Sequence, residues 1–418
     1  MNNGQGHVTE SNTGSLDRNT GSRNMNGSVP TFEEHPWKRC NVDIEDEELI
    51  REVTENSSAV TDPLKHVDVN ETGLHIWRVK GGALIHWRRE DYGQFYDKDC
   101  FLIFHIQDLS HHEDQPVWTL HLWMGQHVTE MTFRQAAYST VTMAGARLNS
   151  KAVVHREAQG HETMTFRRYF SSITYLKGSS DESYWCTTRM RGMHQSRLLK
   201  CYRPDAKSNR YTFTEVPPSA GQLDTSFVYI LDLGKQLYQW NGDLCKTEDV
   251  LRATRYVQQI KCSRGSEIKV DTVSERTEEE YTHPFYMFLS HKSYLTEDDQ
   301  DETQNTLSLS SSSSSRRSTG VGIKGVLFRL TNDKGRLQFK KVKNGILTRK
   351  DVSKEISCIV DLDNLCILWF SLKVAAQERG IGLVIAQEYL RHSAHPTVPV
   401  IIITEGQLSV ELDRTLYR

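Results

Sequence analysis

Apolar and polar residues alternate through Val117-Trp118-Thr119-Leu120-His121-Leu122-Trp123. A period of two is the signature of a half-buried strand. Gly73–Val79 and Cys100–Ile106 carry the apolar and β-branched content of two more strands. The period then changes. Thr129 is suited to cap a helix running to Met143, with Ala136, Ala137 and Val141 along one side. Ala152-Val153-Val154 returns to strand, and a short helix is expected near Thr163–Phe170. The order strand, strand, strand, long helix, strand, short helix predicts an α+β unit with a helix laid on a mixed sheet.

The same succession occurs three times. His75–Val79, Asp99–Ile103, Leu122–Gly125 and His155–Glu157 are matched by Ser196–Leu199, Val228–Asp232 and Gln239–Gly242. They are matched again by Gly325–Arg329, Cys358–Asp361 and Leu368–Ser371. The period of roughly 120 residues is too long for a solenoid and suits a small domain copied three times. The long helices of the second and third copies are expected at Thr247–Gln259 and Ala375–Leu390, and a closing strand at Pro399–Ile403. Trp123, Trp240 and Trp369 end core strands and are expected to pack beneath the helix of each copy.

Composition divides the rest of the chain. Residues 1–60 are polar and rich in Asn, Gly and Ser at the start, and are read as a disordered tail. The units are then 61–172, 193–296 and 321–418, with a linker at 173–192. A second linker, 297–320, is acidic, then an unbroken serine run, then Arg316-Arg317-Ser318-Thr319. Ser318 and Thr319 are candidate phosphorylation sites there.

The net charge of −3 on 418 residues gives no global pull toward nucleic acid. Eight scattered cysteines form no CxxC pair, so zinc is not expected and reduced thiols in a cytoplasmic protein are. No apolar run approaches the roughly 18 residues needed to cross a bilayer. His111-His112-Glu113-Asp114 sits between two strands beside Pro116 and is read as a hairpin loop, not a metal site. There is no phosphate-binding GxxxxGK[ST], no HExxH and no GxSxG, so an enzyme is not expected.

The stretches Thr72–Val79, Tyr92–Leu102 and His155–Glu162 resemble the gelsolin repeat. Tyr229–Gly234 with Leu251–Thr254, and Val360-Asp361 with Glu378-Arg379 and Thr404–Gln407, are similar to its second and third domains. Three repeats without a headpiece resemble the severin, fragmin and Cap-G subgroup of the gelsolin/villin superfamily. The resemblance implies three tandem domains, each a mixed sheet packed between a long and a short helix. It also implies actin as partner, as monomer and at the filament barbed end, with capping as the activity and severing as an extension of it, in the cytoplasmic actin cytoskeleton. The alternative is a divergent scaffold with a non-actin partner, regulated through the serine-rich linker.

In the family the long helix of the first domain enters the cleft of an actin subunit. Arg134, Tyr138 and Thr142, at i, i+4 and i+8, are its expected outer face. Family members hold Ca²⁺ through a strand Asp and a helix Glu in each repeat. Here Asp99, Asp249 and Glu378 are the carboxylates that remain, one per copy. Thr132, Phe227 and Ser357 stand where the others belong, and Ala144-Gly145 where an actin-bridging acid would be. Calcium is therefore expected to bind weakly or not at all, and no cofactor is required. Phosphoinositides release relatives from actin through clustered basic residues. The matching set is Lys177, Arg197, Lys200, Arg203, Lys207 and Arg210. A second basic cluster runs from Lys334 to Lys350.

Overall fold

The computed structural model describes residues 35–36, 63–65, 67–107, 116–149, 151–181, 195–204, 209–265, 267–275, 283–293, 324–333, 336–375, 379–407, 409, 412 and 415–416. A two-residue strand, β1 (His35–Pro36), precedes the first unit. That unit holds β2 (Gly73–Lys80), β3 (Ala83–His86), β4 (Gln94–Tyr96), β5 (Cys100–Gln107) and β6 (Val117–Met124). The long helix α1 (Glu130–Thr142) follows, then β7 (Val153–Ala158), the short helix α2 (Met164–Arg168) and β8 (Ser172–Leu176). The second unit holds β9 (Arg197–Tyr202), β10 (Tyr211–Val216), β11 (Val228–Asp232), β12 (Gln236–Asn241), α3 (Thr247–Arg264), β13 (Lys269–Ser274) and α4 (Pro284–Ser293). The third holds β14 (Lys324–Asp333), β15 (Arg336–Ile346), α5 (Arg349–Ser353), β16 (Ser357–Asp361), β17 (Cys366–Phe370), α6 (Gly382–Arg391) and β18 (Val400–Thr404).

One topology recurs. In the first unit β2, β5 and β6 are antiparallel neighbours and β7 lies parallel to β6. In the second, β9, β11 and β12 are antiparallel and β13 is parallel to β12. In the third, β14, β16 and β17 repeat the pattern and β18 is parallel to β17. A parallel neighbour cannot be reached by a hairpin and needs a crossover. The long helices α1, α3 and α6 are those crossovers.

A shared close approach fixes the register of the repeats. A Cβ on Gly125 would lie 2.2 Å from the Asp97 carbonyl oxygen, and one on Gly242 would lie 2.1 Å from that of Thr225. Only glycine permits this contact. Gly125 N–H donates to the Asp99 carbonyl and Gly242 N–H to that of Phe227, which makes Asp99 and Phe227 equivalent positions.

The units merge into two sheets. The antiparallel pairs Arg156↔Val400, His155↔Ile401 and Val154↔Ile402 join β7 to β18, so first and third units share an eleven-stranded sheet. The seven-stranded sheet of the second unit ends in β8 and β4, with β8 parallel to both β10 and β4. The expected linker at 173–192 therefore begins too early. Residues 172–176 are a buried strand between two units, because each neighbouring edge offers unpaired backbone groups that a third strand satisfies.

The cores follow these seams. Phe133, Ala136 and Ala137 of α1 share one apolar cluster with Leu383, Val384, Ala386 and Tyr389 of the third unit. Phe95, Trp123 and Phe166 of the first unit share another with Phe213, Ile230, Ala253 and Val257 of the second. The tryptophans do not lie beneath the long helices. Strand parity sends Leu120 and Leu122 toward α1, and His121 and Trp123 to the other face. Trp240 likewise packs with Phe285 and Tyr286 of the short helix α4, donating from Nε1 to the Tyr286 hydroxyl at 2.7 Å. Trp369 packs with Leu412 and Leu416.

The predicted helix at Thr247–Gln259 runs on to Arg264, where Gly265 at φ 109° ends it. The helix expected at Ala375–Leu390 is regular over Gly382–Arg391, with 376–378 outside the described residues. The hairpin loop expected at 111–114 also lies outside them.

Candidate functional site

Helix α1 begins as its sequence demands. The Thr129 side chain accepts from Thr132 N–H at 3.2 Å. Inward-facing hydroxyls are satisfied within the fold: Thr140 Oγ1 donates to the Ala136 carbonyl at 2.8 Å, and Ser139 Oγ to the carbonyls of Gln135 and Gly82. After Thr142 the chain loosens into a wide turn over Met143–Arg147, closed by Leu148 N–H on the Met143 carbonyl.

Of the three expected outer residues, Thr142 is exposed, while Arg134 and Tyr138 are half-buried. Tyr138 and Val141 pack against the cluster shared with the third unit. Arg391 of α6 reaches Glu130 at 3.4 Å. The third unit thus flanks one side of α1. The sequence reading missed Met131, which is 48% exposed and stands three residues before Arg134 on the same helical face. Its signal was available: an apolar residue in the exposed first turn of a capped helix.

Behind the same sheet lies a buried polar joint built by the His155–Glu162 stretch. His121 Nδ1 lies 2.8 Å from Glu157 Oε1, and its Nε2 lies 3.0 Å from the Tyr169 hydroxyl. Glu157 also accepts from the amide and the hydroxyl of Thr163, both at 2.7 Å, and the Thr163 hydroxyl in turn accepts from Phe166 N–H at 3.2 Å, which caps α2. Glu162 accepts from Trp123 Nε1 at 3.1 Å, from the Tyr175 hydroxyl at 2.6 Å and from Arg167 at 2.6 Å. Burial pushes Glu157 up to about 7 and pulls His121 and His155 down to about 3. This stretch fastens sheet to helix. His161, by contrast, is exposed.

Calcium takes six to eight hard oxygen ligands. Asp99 is buried, and both of its oxygens are engaged by Arg78 and the turn at 179–180. Asp249 accepts from the Tyr211 hydroxyl at 2.9 Å in the first turn of α3. Its strand counterpart is Phe227, whose ring carries the Lys200 ammonium at 3.7 Å. Glu378 lies outside the described residues. Protein donors thus already occupy both oxygens of Asp99, and one oxygen of Asp249.

The basic set does not form one patch. Arg197 and Lys200 are three residues apart on β9, so they point to opposite faces of the sheet. Arg197 lies 3.6 Å from Glu215 and sits over the Tyr96 ring. Arg203 pairs with Glu248 at 3.4 Å. Arg210 donates to the Phe170 carbonyl, and Lys177 is exposed. Spacing along the sequence had suggested a cluster that strand parity divides. Lys207, Ser318 and Thr319 lie outside the described residues.

A mixed sheet crossed by one long helix, repeated three times, defines the class of protein. Residues 88–167 and 209–280 match the gelsolin family, described as "Gelsolin repeat". Gelsolin-like protein 2 of Lumbricus terrestris is 28% identical over 397 residues, covering 92% of this chain and 98% of that protein. Severin of Echinococcus granulosus is 23% identical, covering 90% and 95%. Macrophage-capping protein of Rattus norvegicus is 25% identical, covering 82% and 93%. The two matched segments and the relatives spanning most of the chain support membership of the gelsolin/villin superfamily.

Proposed function

We propose that this chain is an actin-binding protein that caps filament barbed ends without needing calcium. The observation that carries the reading is α1, a capped helix with a face formed by Met131, Arg134, Tyr138 and Thr142, backed by a rigid shared core. A full-length relative is named for capping and another is named severin, which supports the same class of activity here. A rigid helix presenting an apolar lead residue and a polar flank suits insertion into a groove on a protein partner.

Severing asks for more, because the first unit must separate from the third to pass between filament subunits. The β7–β18 pairing and the shared core oppose that separation. We therefore propose capping and not severing. Among the described residues, no helix is long and apolar enough to cross a membrane.

Elongation of pyrene-labelled actin from filament seeds tests the reading, run with calcium and with chelator. Capping in both conditions is the expected result. No effect in either would remove actin as the partner, and capping with calcium alone would remove the calcium-independent part.

A further inference from the structure

Where the first unit hands over to the second, a short strip of backbone is pinned against the start of β5. Asp97 N–H donates to the Leu176 carbonyl, Lys98 N–H to that of Gly178, and Gly178 N–H to the Asp97 carboxylate at 2.8 Å. The strip ends in Ser179, Ser180 and Asp181, and these residues close around a single side chain, Arg78 of β2.

Arg78 stands between two carboxylates. On one side its Nε lies 3.1 Å from Asp99 Oδ2, and Nη2 donates to Asp99 Oδ1 at 3.2 Å. On the other, Nη1 and Nη2 fork onto Asp181 Oδ1 and Oδ2 at 2.7 and 3.0 Å. Nη2 also reaches Ser179 Oγ at 3.0 Å. Asp99 is 4% exposed and fully engaged, accepting in addition from Ser179 Oγ at 2.8 Å and Ser180 N–H at 2.9 Å. Lys80 adds a second positive charge, 3.0 Å from Asp181 Oδ2.

We propose that the Arg78 guanidinium is the resident cation of this site, tying the Ser179–Asp181 turn to the first unit and excluding divalent metal from an otherwise suitable ring of oxygens. Four carboxylate oxygens and one hydroxyl surround the guanidinium, which is the donor type that Ca²⁺ takes. Arg78 and Lys80 together supply the two positive charges of such an ion. A second cation entering beside the buried guanidinium meets strong repulsion in a poorly solvated place. Arginine also suits the post better than a metal if constancy is needed, because its charge and planar fork depend on no ion concentration. Its bonds to Asp181 are the leading reason that carboxyl is held down at about 2.

The inference deepens the calcium-independent capping proposed above and takes its consequence from that reading, but its test needs no actin. Calcium is titrated calorimetrically into the full chain, as wild type, Asp99→Asn, Arg78→Gln and the Arg78→Gln/Asp99→Asn pair. Asp99→Asn should leave the wild-type titration unchanged. Arg78→Gln should gain one site, and the added Asp99→Asn should abolish it. A wild-type site lost in Asp99→Asn overturns the proposal, as does a folded Arg78→Gln that gains nothing. Hydrogen exchange at the Ser180 amide carries the test should Arg78→Gln fail to fold. Its protection should be equal in calcium and chelator in the wild type, and should fall at least about tenfold in Asp181→Asn. Protection that depends on calcium in the wild type, or that survives Asp181→Asn unchanged, overturns the proposal.

Discussion

Arg156 of β7 donates through Nη1 to the main-chain oxygen of Val398 at 3.1 Å, across 242 positions of sequence. Nη2 reaches the Pro396 carbonyl at 3.3 Å, and Nε reaches Gln387 Oε1 at 3.0 Å. One buried guanidinium from the first unit thus satisfies three acceptors of the third. Burial pulls its pKa down to about 10, which still leaves it charged at neutral pH. The seam is therefore a strand pairing clamped by a charge.

Replacing Arg156 with alanine strands those acceptors at the seam. A loss of roughly 2–4 kcal/mol in stability is expected, since each buried acceptor left unpaired carries a desolvation cost. Urea unfolding of the full chain measures it. A midpoint equal to wild type would show that the clamp contributes nothing.

The glycine contacts yield a second prediction. Gly125→Ala places a methyl group 2.2 Å from a carbonyl oxygen that belongs to backbone and cannot rotate away. Gly242→Ala does the same in the second unit at 2.1 Å. Each substitution should cost roughly 1–3 kcal/mol or more. Thermal unfolding checks this, and two variants that melt with the wild type would refute the shared register.

Acid should weaken the first unit. His121 and His155 fall from 6.5 to about 3 in the fold because burial disfavours their charged forms. The unfolded chain therefore binds more protons than the native one between those values, and stability drops as pH falls below 6.5. Glu157, raised from 4.5 to about 7 by burial, acts oppositely. Its contribution is present below 4.5 and lost as pH rises through 7, so it offsets one histidine between 4.5 and 6.5. Among the described residues, His155 Nδ1 has no hydrogen-bond partner, with Glu157 Oε1 at 3.8 Å. His155→Phe should accordingly lose less stability than wild type between pH 7 and 5. Equal losses in melting temperature would count against this.

Met131→Glu tests the face of α1. The side chain is exposed, so the fold should be kept. The concentration needed to halve filament elongation should rise about tenfold or more if Met131 is an apolar anchor. Unchanged capping by this variant would move the actin contact elsewhere.

Much of the fold was legible in the chain. Alternation marked β6, Thr129 marked the start of α1, and the tripled succession of strands and long helix gave the repeated α+β unit. Those signals are local, because periodicity and capping act within a few residues. The candidate site was less legible. Thr142 proved exposed, yet Tyr138 is half-buried by a third unit whose approach no local pattern encodes. Lys200 and Arg197 looked like neighbours until strand parity turned them apart.

By itself the sequence determined the repeated unit and the order of its strands and long helix, since both follow from short-range periodicity. The tertiary structure alone decided which edges meet: β7 with β18, and β8 between β4 and β10. It also decided that Arg78 answers Asp99 and Asp181, residues 21 and 103 positions away. Backbone edges and buried charges must find partners somewhere, but only the folded chain brings the particular partner within reach.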